Sequence, residues 1–480
     1  MNNGPIIHLQ SLDYAVLAGF MALLLVAWWG AKRKTESVFE FLSAGRSLTL
    51  PAFVATLVST WYGGILGIAE SVSYFGTGTW LLLGVPYYIF AALYAFYMSE
   101  KIRGADQITI PERFESRFGK APALAAALLV LLLAVPAAHV LMLGTMVQAL
   151  SGWSLLLCMV AISAIVSLML FRSGLLADVR IGLVAFFLMF LGFAVAFFTL
   201  NRQTSLTLAI SSLPPASQSF TGGADWINII SFFILGAWTI VDPGFHQRVS
   251  SAQSPTIGKR GILVSILCWA AFDFLSISCA IYALHLKANT IGTKIESSVS
   301  GMMLFPSLAE TALPAGIKGL FVIGILGTIL SACCGYALVA GGTIGREIIG
   351  RISPQNTETK FTQWGIVASL ALAIPIALIS GQSVVALWYG WAGAVIGSLL
   401  IPFVLSYRSS SRWNPTWLSI GMVLPCLLAI GWMAFAIRSG NPLMNVKAFG
   451  SEFSLGTLVP SFSLSALILG GSRLLCKKNV

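Results

Sequence analysis

Apolar runs of about twenty residues, separated by short polar loops, recur along the whole chain. Wound as an α-helix, a run of that length matches the hydrocarbon thickness of a bilayer. Thirteen spans are predicted, at 13–31, 51–75, 80–99, 122–149, 153–171, 181–200, 227–246, 261–285, 317–345, 363–380, 384–406, 415–437 and 455–472. They are numbered here from first to thirteenth. The predicted fold class is an all-α polytopic membrane protein, built as a single integral membrane domain over residues 1–480.

Composition agrees with that pattern. Hydrophobic residues make up 57% of the 480 positions and charged residues only 9%, against about 25% charged in a soluble domain. Mean hydropathy is +0.88. Disorder is excluded by the same numbers. The seven cysteines are odd in number and lie almost wholly in apolar runs, which excludes a secreted disulfide scaffold. No CxxC pair and no HExxH helix supports a zinc site.

The net charge of +11 does not mark a nucleic-acid partner, because the basic residues are spread over loops between spans. Their distribution reads as topology. With the N-terminus outside, the outer loops hold only Arg202, Lys287, Lys294, Lys318, Arg438 and Lys447, and the other 22 of the 28 Lys and Arg fall inside. The C-terminus is then inside, and no Lys or Arg is expected within a span; Arg248 is assigned to an inner loop. The first span has no basic residues before it and Lys32-Arg33-Lys34 after it, so it reads as a helix and not a cleaved signal. The lipid bilayer is the expected surrounding, in a bacterial inner membrane or a plasma membrane.

Two spans carry signs of interruption. Ser59, Thr60, Gly63, Gly64 and Gly67 cluster in the middle of the second, where helix unwinding would expose carbonyls. Close helix packing through small residues is the alternative. The seventh contains Ala237-Trp-Thr-Ile-Val-Asp-Pro243-Gly244. The two breaks are five spans apart and open blocks of opposite orientation, as in an inverted repeat whose paired broken helices mark a binding site. The expected blocks are 51–200 and 227–406, with an extra N-terminal helix at 13–31 and C-terminal helices in 415–480.

Three acids fall inside spans: Glu70, Asp242 and Asp273. An acid at that depth costs roughly 2.5–3.5 kcal/mol on insertion scales, so each is a candidate for cation, proton or solute binding. A protonated acid bonded to a neighbour, such as Ser276 for Asp273, is the other reading. His139 reads as a hydrogen-bonded interior histidine. No nucleophile is paired with a base and an orienting group, so no enzymatic activity is expected.

Four motifs carry a family resemblance. They are Phe41-Leu-Ser-Ala-Gly-Arg46, Ile108-Thr-Ile-Pro-Glu-Arg-Phe-Glu-Ser-Arg-Phe-Gly119, Gln247-Arg248 with Ser250-Ser251-Ala252, and Gly316-Ile-Lys-Gly-Leu-Phe321 through Ile329-Leu-Ser331. Collinear over roughly residues 13–410, they resemble the sodium:solute symporter family. That resemblance implies a five-plus-five inverted-repeat fold and uptake of a small-molecule solute driven by sodium. It implies a sodium site of second-span carbonyls, near Leu57 and Thr60, with Thr328, Ser331 and Ala332 on the ninth span. Ala332 stands where the family usually has a hydroxyl. The family's Thr-Asp-x-x-Gln stretch in the sixth span is aligned with Gly182 at the Asp position. Both departures leave a proton as the alternative coupling ion, with Asp273 as the coupling group.

The resemblance also places Trp238 and Thr239 among solute-facing residues. Trp61, Tyr62, Trp388 and Tyr389 are candidates for the same cavity, with Ser59, Gly63 and Gly64 at the second-span break. Aromatic rings can stack on a sugar or shield a cation. With three embedded acids and no embedded base, the expected solute is neutral or cationic. A non-transporting membrane sensor is the competing class, disfavoured because no output domain follows Lys477-Lys478. Solute identity and oligomeric state are not legible.

Overall fold

The computed structural model describes residues 4–31, 37–289, 301–353, 359–379, 383–408, 413–439, 445–448, 451–454 and 456–478. Lys32, Arg33, Lys34 and Lys294, used above for topology, lie outside the described residues. The described residues are largely helical, with a short antiparallel hairpin of Asn445–Ala448 with Ser451–Ser454. Among the described residues, ten helices are long and apolar enough to cross a membrane, and Leu155–Phe171 and Gly390–Ser406 are apolar but shorter.

The helices differ in what surrounds them. The first, Ser11–Gly30, has 17% of its most apolar stretch buried inside the protein, whereas the ninth span has 89%. Leu23, Leu25, Val26 and Trp29 on the first helix are exposed, as lipid-facing residues are. Helix Ile317–Gly342 of the ninth span is instead a central post. Glycines let it and its neighbour Leu175–Gln203 approach closely: a Cβ on Gly192 would lie 2.6 Å from the Leu320 carbonyl oxygen, and one on Gly324 3.0 Å from that of Leu188.

Both predicted interruptions are present, in different degrees. The second span runs as helix Leu50–Trp61, a single 3₁₀ turn Tyr62–Gly64, and helix Ile65–Phe75. The backbone tightens there and does not unwind into an extended segment. The seventh span is divided further, into Trp226–Leu235, Trp238–Val241 and Pro243–Ser251. Asp242 is extended at the second junction (φ −63°, ψ 117°) and caps the last helix, with Pro243 in its first turn. A third break, at Val135-Pro136, splits the fourth span into Lys120–Ala134 and Ala137–Ser151. Proline cannot supply the missing hydrogen bond, so the helix restarts after it.

The motifs that carry the resemblance converge at one end. Gln247 Nε2 donates to the Leu42 carbonyl (2.8 Å), and Leu48 and Ala252 form an isolated β-bridge. Arg46 donates to the carbonyls of Ala105 (3.0 Å) and Asp106 (3.1 Å). The helix Ile110–Phe118 is capped by Thr109, with Pro111 in its first turn. It is tied to the end of the ninth span by Arg346–Glu112 (2.8 Å), Arg351–Glu115 (2.9 Å) and Thr109–Glu347 (2.6 Å).

Candidate functional site

A partly open cavity of about 90 Å³ lies beside the 3₁₀ turn of the second span. Thr60, Trp61, Tyr62, Gly64 and Ile68 line it from the second span, and Thr79, Leu83, Gly84, Tyr87 and Tyr88 from the third. His139, Trp238, Asp273, Ile277, Tyr336 and Trp388 complete the wall. Trp61 stacks on Trp269 (5.0 Å, 30°) and meets Tyr87 edge-on at 4.8 Å; His139 stacks on Tyr336 at 4.9 Å. Of the expected solute-facing residues, Trp61, Tyr62, Gly64, Trp238 and Trp388 therefore reach the cavity.

The others lie elsewhere. Thr239 is fully buried and its hydroxyl has no hydrogen-bond partner. Gly63 lies against the ninth span, where a Cβ would fall 1.9 Å from the Ala332 Cβ. Ser59 belongs to a polar cluster described below. The side chain of Tyr389 lies outside the described residues. Trp80, Tyr87, Tyr88 and Tyr336 were not singled out from sequence. The signal for the first three was Trp80 followed by Gly84 and Tyr87-Tyr88, a polar-tipped aromatic face at helical spacing.

The three embedded acids have separate surroundings. Asp273 lines the cavity and accepts a hydrogen bond from the Tyr88 hydroxyl, which itself accepts from Trp80 Nε1 at 3.1 Å. Asp242 lies behind two residues of the cavity wall, Trp238 and Tyr336, and holds the seventh span together. It accepts from Phe245 N (2.6 Å), Trp238 Nε1 (3.0 Å) and the Tyr336 hydroxyl (2.5 Å). Glu70 caps the start of the eleventh span, accepting from Ser383 Oγ (2.6 Å), Val384 N (3.0 Å) and Val385 N (3.3 Å).

A second polar cluster joins the second and ninth spans. Thr328 Oγ1 donates to the Ser59 carbonyl at 2.7 Å, and the hydroxyls of Ser59 and Ser331 lie 3.0 Å apart. Ser59 Oγ also reaches the Thr56 carbonyl at 3.3 Å. The second-span carbonyls at this junction are those of Ser59, which accepts from Thr328, and Thr56, which accepts from Ser59 Oγ within its own helix; the expected ligand carbonyls, near Leu57 and Thr60, are each one residue further on. Leu57 is a buried core residue, and Thr60 accepts from Arg248.

That arginine corrects the topology reading. Arg248 is fully buried, not in a loop, and its Nη2 donates to Thr60 Oγ1 and Asp178 Oδ2, both at 2.7 Å. Asp178 is fully buried too, and its Oδ1 has no hydrogen-bond partner. An embedded base is therefore present, but it is paired and does not line the cavity. The alignment of the family's sixth-span Asp with Gly182 is also displaced. The acid of that helix stands one turn earlier, in Ala177-Asp178-Val179, while a Cβ on Gly182 would touch the hydroxyls of Ser59 (3.0 Å) and Thr56 (3.1 Å). The donors around this cluster are all oxygens, several of them backbone carbonyls, which suits a hard cation. Among the described residues no group of three or more His, Cys, Asp or Glu forms a metal site.

Interrupted helices around a cavity, with a polar junction beside it, define the architecture of a multi-span solute carrier. The sodium:solute symporter family matches residues 41–414, most of the chain, and the chain belongs to that family. Its curated relatives include the sodium/proline symporters of Staphylococcus aureus strains JH9 and NCTC 8325 / PS 47. Each is 23% identical over 486 residues, covering 94% of this chain and 90% of the relative. The fold is similar to that of a substrate-bound, outward-open Na⁺-coupled sialic acid symporter (TM-score 0.78, 15% identity, 97% and 98% of the two chains). A nucleobase-cation-symport-1 family transporter in a closed conformation shares it more loosely (TM-score 0.53, 14% identity, 94% and 96%). The protein is a multi-pass membrane transporter and not an enzyme.

Proposed function

We propose that the protein is a secondary active transporter in which sodium entry drives uptake of a small neutral or cationic organic solute. The observation that carries this is the junction of Thr328, Ser59 and Ser331, which brings second-span carbonyls and ninth-span hydroxyls together next to the cavity. The carbonyls of Thr56 and Ser59 with the hydroxyls of Ser331 and Thr328 are the proposed sodium ligands. Ala332 supplies no oxygen, and water fills its place. Family membership and the names of the Staphylococcus relatives support the same reading.

Alternating access follows from rocking of the blocks 51–200 and 227–406 about the cavity. Sodium bound at the junction stiffens the contact between second and ninth spans and so favours the state that accepts solute from outside. The ion pairs around Glu112, Glu115 and Glu347 hold the inner end shut in that state.

The test is a sodium titration of the purified protein against potassium at constant ionic strength, followed by thermal unfolding. An ion that binds only the folded state stabilises it by about 2.7 kcal/mol at a hundredfold excess over its Kd. A saturable, sodium-selective rise in Tm that shrinks in Ser331→Ala is expected. A flat sodium response with a pH-dependent Tm that disappears in Asp273→Asn would replace sodium with a proton.

A further inference from the structure

Asp273 differs from the other embedded acids in how it is compensated: Asp178 is paired with Arg248. Asp242 and Glu70 each cap a helix N-terminus and accept backbone N–H bonds, where the helix dipole also favours the negative charge. Asp273 receives no backbone N–H. Its partner is the neutral phenol of Tyr88. Among the residues lining the cavity there is no Lys or Arg and no second acid. A carboxylate held in such a wall without a counter-charge is costly, and a cation in the cavity removes that cost.

We propose that the cavity binds the ammonium group of an organic solute, with Asp273 as counter-charge and Tyr88 orienting its carboxylate. This rests on the reading of the chain as a solute carrier and names the class of solute. A bare inorganic ion fits poorly, because the walls around Asp273 are mostly aromatic side chains and not a shell of oxygens. Trp61, Tyr87, Trp238 and Trp388 instead present rings to the same space, and ring faces attract alkylammonium groups. The third span is shaped for the pair. A Cβ on Gly84 would lie 2.9 Å from Asp273 Oδ2 and 3.0 Å from the Tyr88 hydroxyl. Trp80 holds that hydroxyl from the other side (3.1 Å), so the carboxylate meets a fixed donor and an open face.

Three probes with one ring size isolate the charge: pyrrolidinium (cation), tetrahydrofuran (neutral) and cyclopentanecarboxylate (anion). Each is titrated into the full-length protein in lipid nanodiscs with sodium present, reading tryptophan fluorescence. Saturable quenching by pyrrolidinium alone is expected. Asp273→Asn should weaken it about tenfold or more, as loss of a buried charge partner does, and Tyr88→Phe severalfold. Sodium-dependent thermal stability should persist in both variants. Gly84→Ala, which keeps the charge and crowds it, covers the case in which Asp273→Asn elutes as aggregate; it should also weaken pyrrolidinium and spare sodium. Equal quenching by either uncharged or anionic ring, no quenching by any of the three, or an unchanged pyrrolidinium affinity in the folded variants overturns the proposal. So does joint loss of the sodium response, which would give the acid to the ion. Uptake of labelled pyrrolidine into proteoliposomes separates the two readings: binding without uptake counts against the carrier and leaves the ammonium site standing.

Discussion

Thr328 Oγ1 and the carbonyl of Ser59 meet at 2.7 Å and join the deeply buried ninth span to the helix Leu50–Trp61, just before the 3₁₀ turn of the second span. A helix carbonyl has a spare lone pair when it faces another helix, and here it accepts from Thr328 while the Ser331 hydroxyl meets that of Ser59. Ser331→Ala removes the second hydroxyl. Sodium affinity, read as the midpoint of the Tm rise, should fall about tenfold if one charge–dipole contact of roughly 1.5 kcal/mol is lost. Ala332→Ser adds the oxygen that the family pattern provides and should tighten sodium several-fold. A weaker sodium response in Ala332→Ser would show that the new group clashes with Gly63, whose Cα faces it closely.

Arg248 and Asp178 are both fully buried and paired at 2.7 Å. Replacing one partner leaves the other charge alone, which typically costs about 3–5 kcal/mol. Arg248→Met and Asp178→Leu should each lower the melting temperature strongly. The double variant Arg248→Met with Asp178→Leu should recover much of the loss. A double variant as unstable as the sum of the singles would mean that the two side chains act independently, Arg248 through its contacts with Thr60 and Gly244.

Most of the scaffold was legible because a bilayer enforces a simple rule: apolar runs of span length become helices. The breaks were legible for a similar reason, since Gly63-Gly64 and Asp242-Pro243 disturb a helix wherever they occur. Arg248 was misplaced because charge counting treats a basic residue near a span end as a loop residue. Its partner lies 70 positions away in sequence, and no local pattern announces a pair formed only in the fold. The roles of the three acids were hidden in the same way. Whether an acid caps a helix or faces a cavity depends on which distant segment arrives beside it, Ser383 for Glu70 and Tyr88 for Asp273.

Asp242 illustrates how capping and chemistry separate. Its carboxylate satisfies Phe245 N at the start of helix Pro243–Ser251 and binds Trp238 and Tyr336. Asp242→Asn keeps the N-cap through its amide oxygen but sets an NH2 donor against Trp238 Nε1, whereas Asp242→Ala loses about 1 kcal/mol from the cap as well and frees two ring donors. The alanine variant should melt several degrees lower and the asparagine variant between it and wild type, with sodium affinity changed little in Asn. Loss of all sodium response in a well-folded Asp242→Asn would instead make this acid part of the ion path.

Glu70 fastens the second span to the eleventh at one end of the cavity. It caps the helix that carries Trp388, and Trp388 in turn covers the second-span glycines: a Cβ on Gly64 would lie 2.4 Å from its ring. If that contact is a latch, Glu70→Ala should free the first turn of the eleventh span before anything else moves. Hydrogen exchange followed by mass spectrometry should then show faster exchange at residues 384–390, with the helix Ile317–Gly342 unchanged. Solute binding should weaken through Trp388, and sodium should no longer slow exchange in the eleventh span. Uniformly faster exchange across the chain would mean that Glu70 serves global stability, and the eleventh span would then not be an independently opening element.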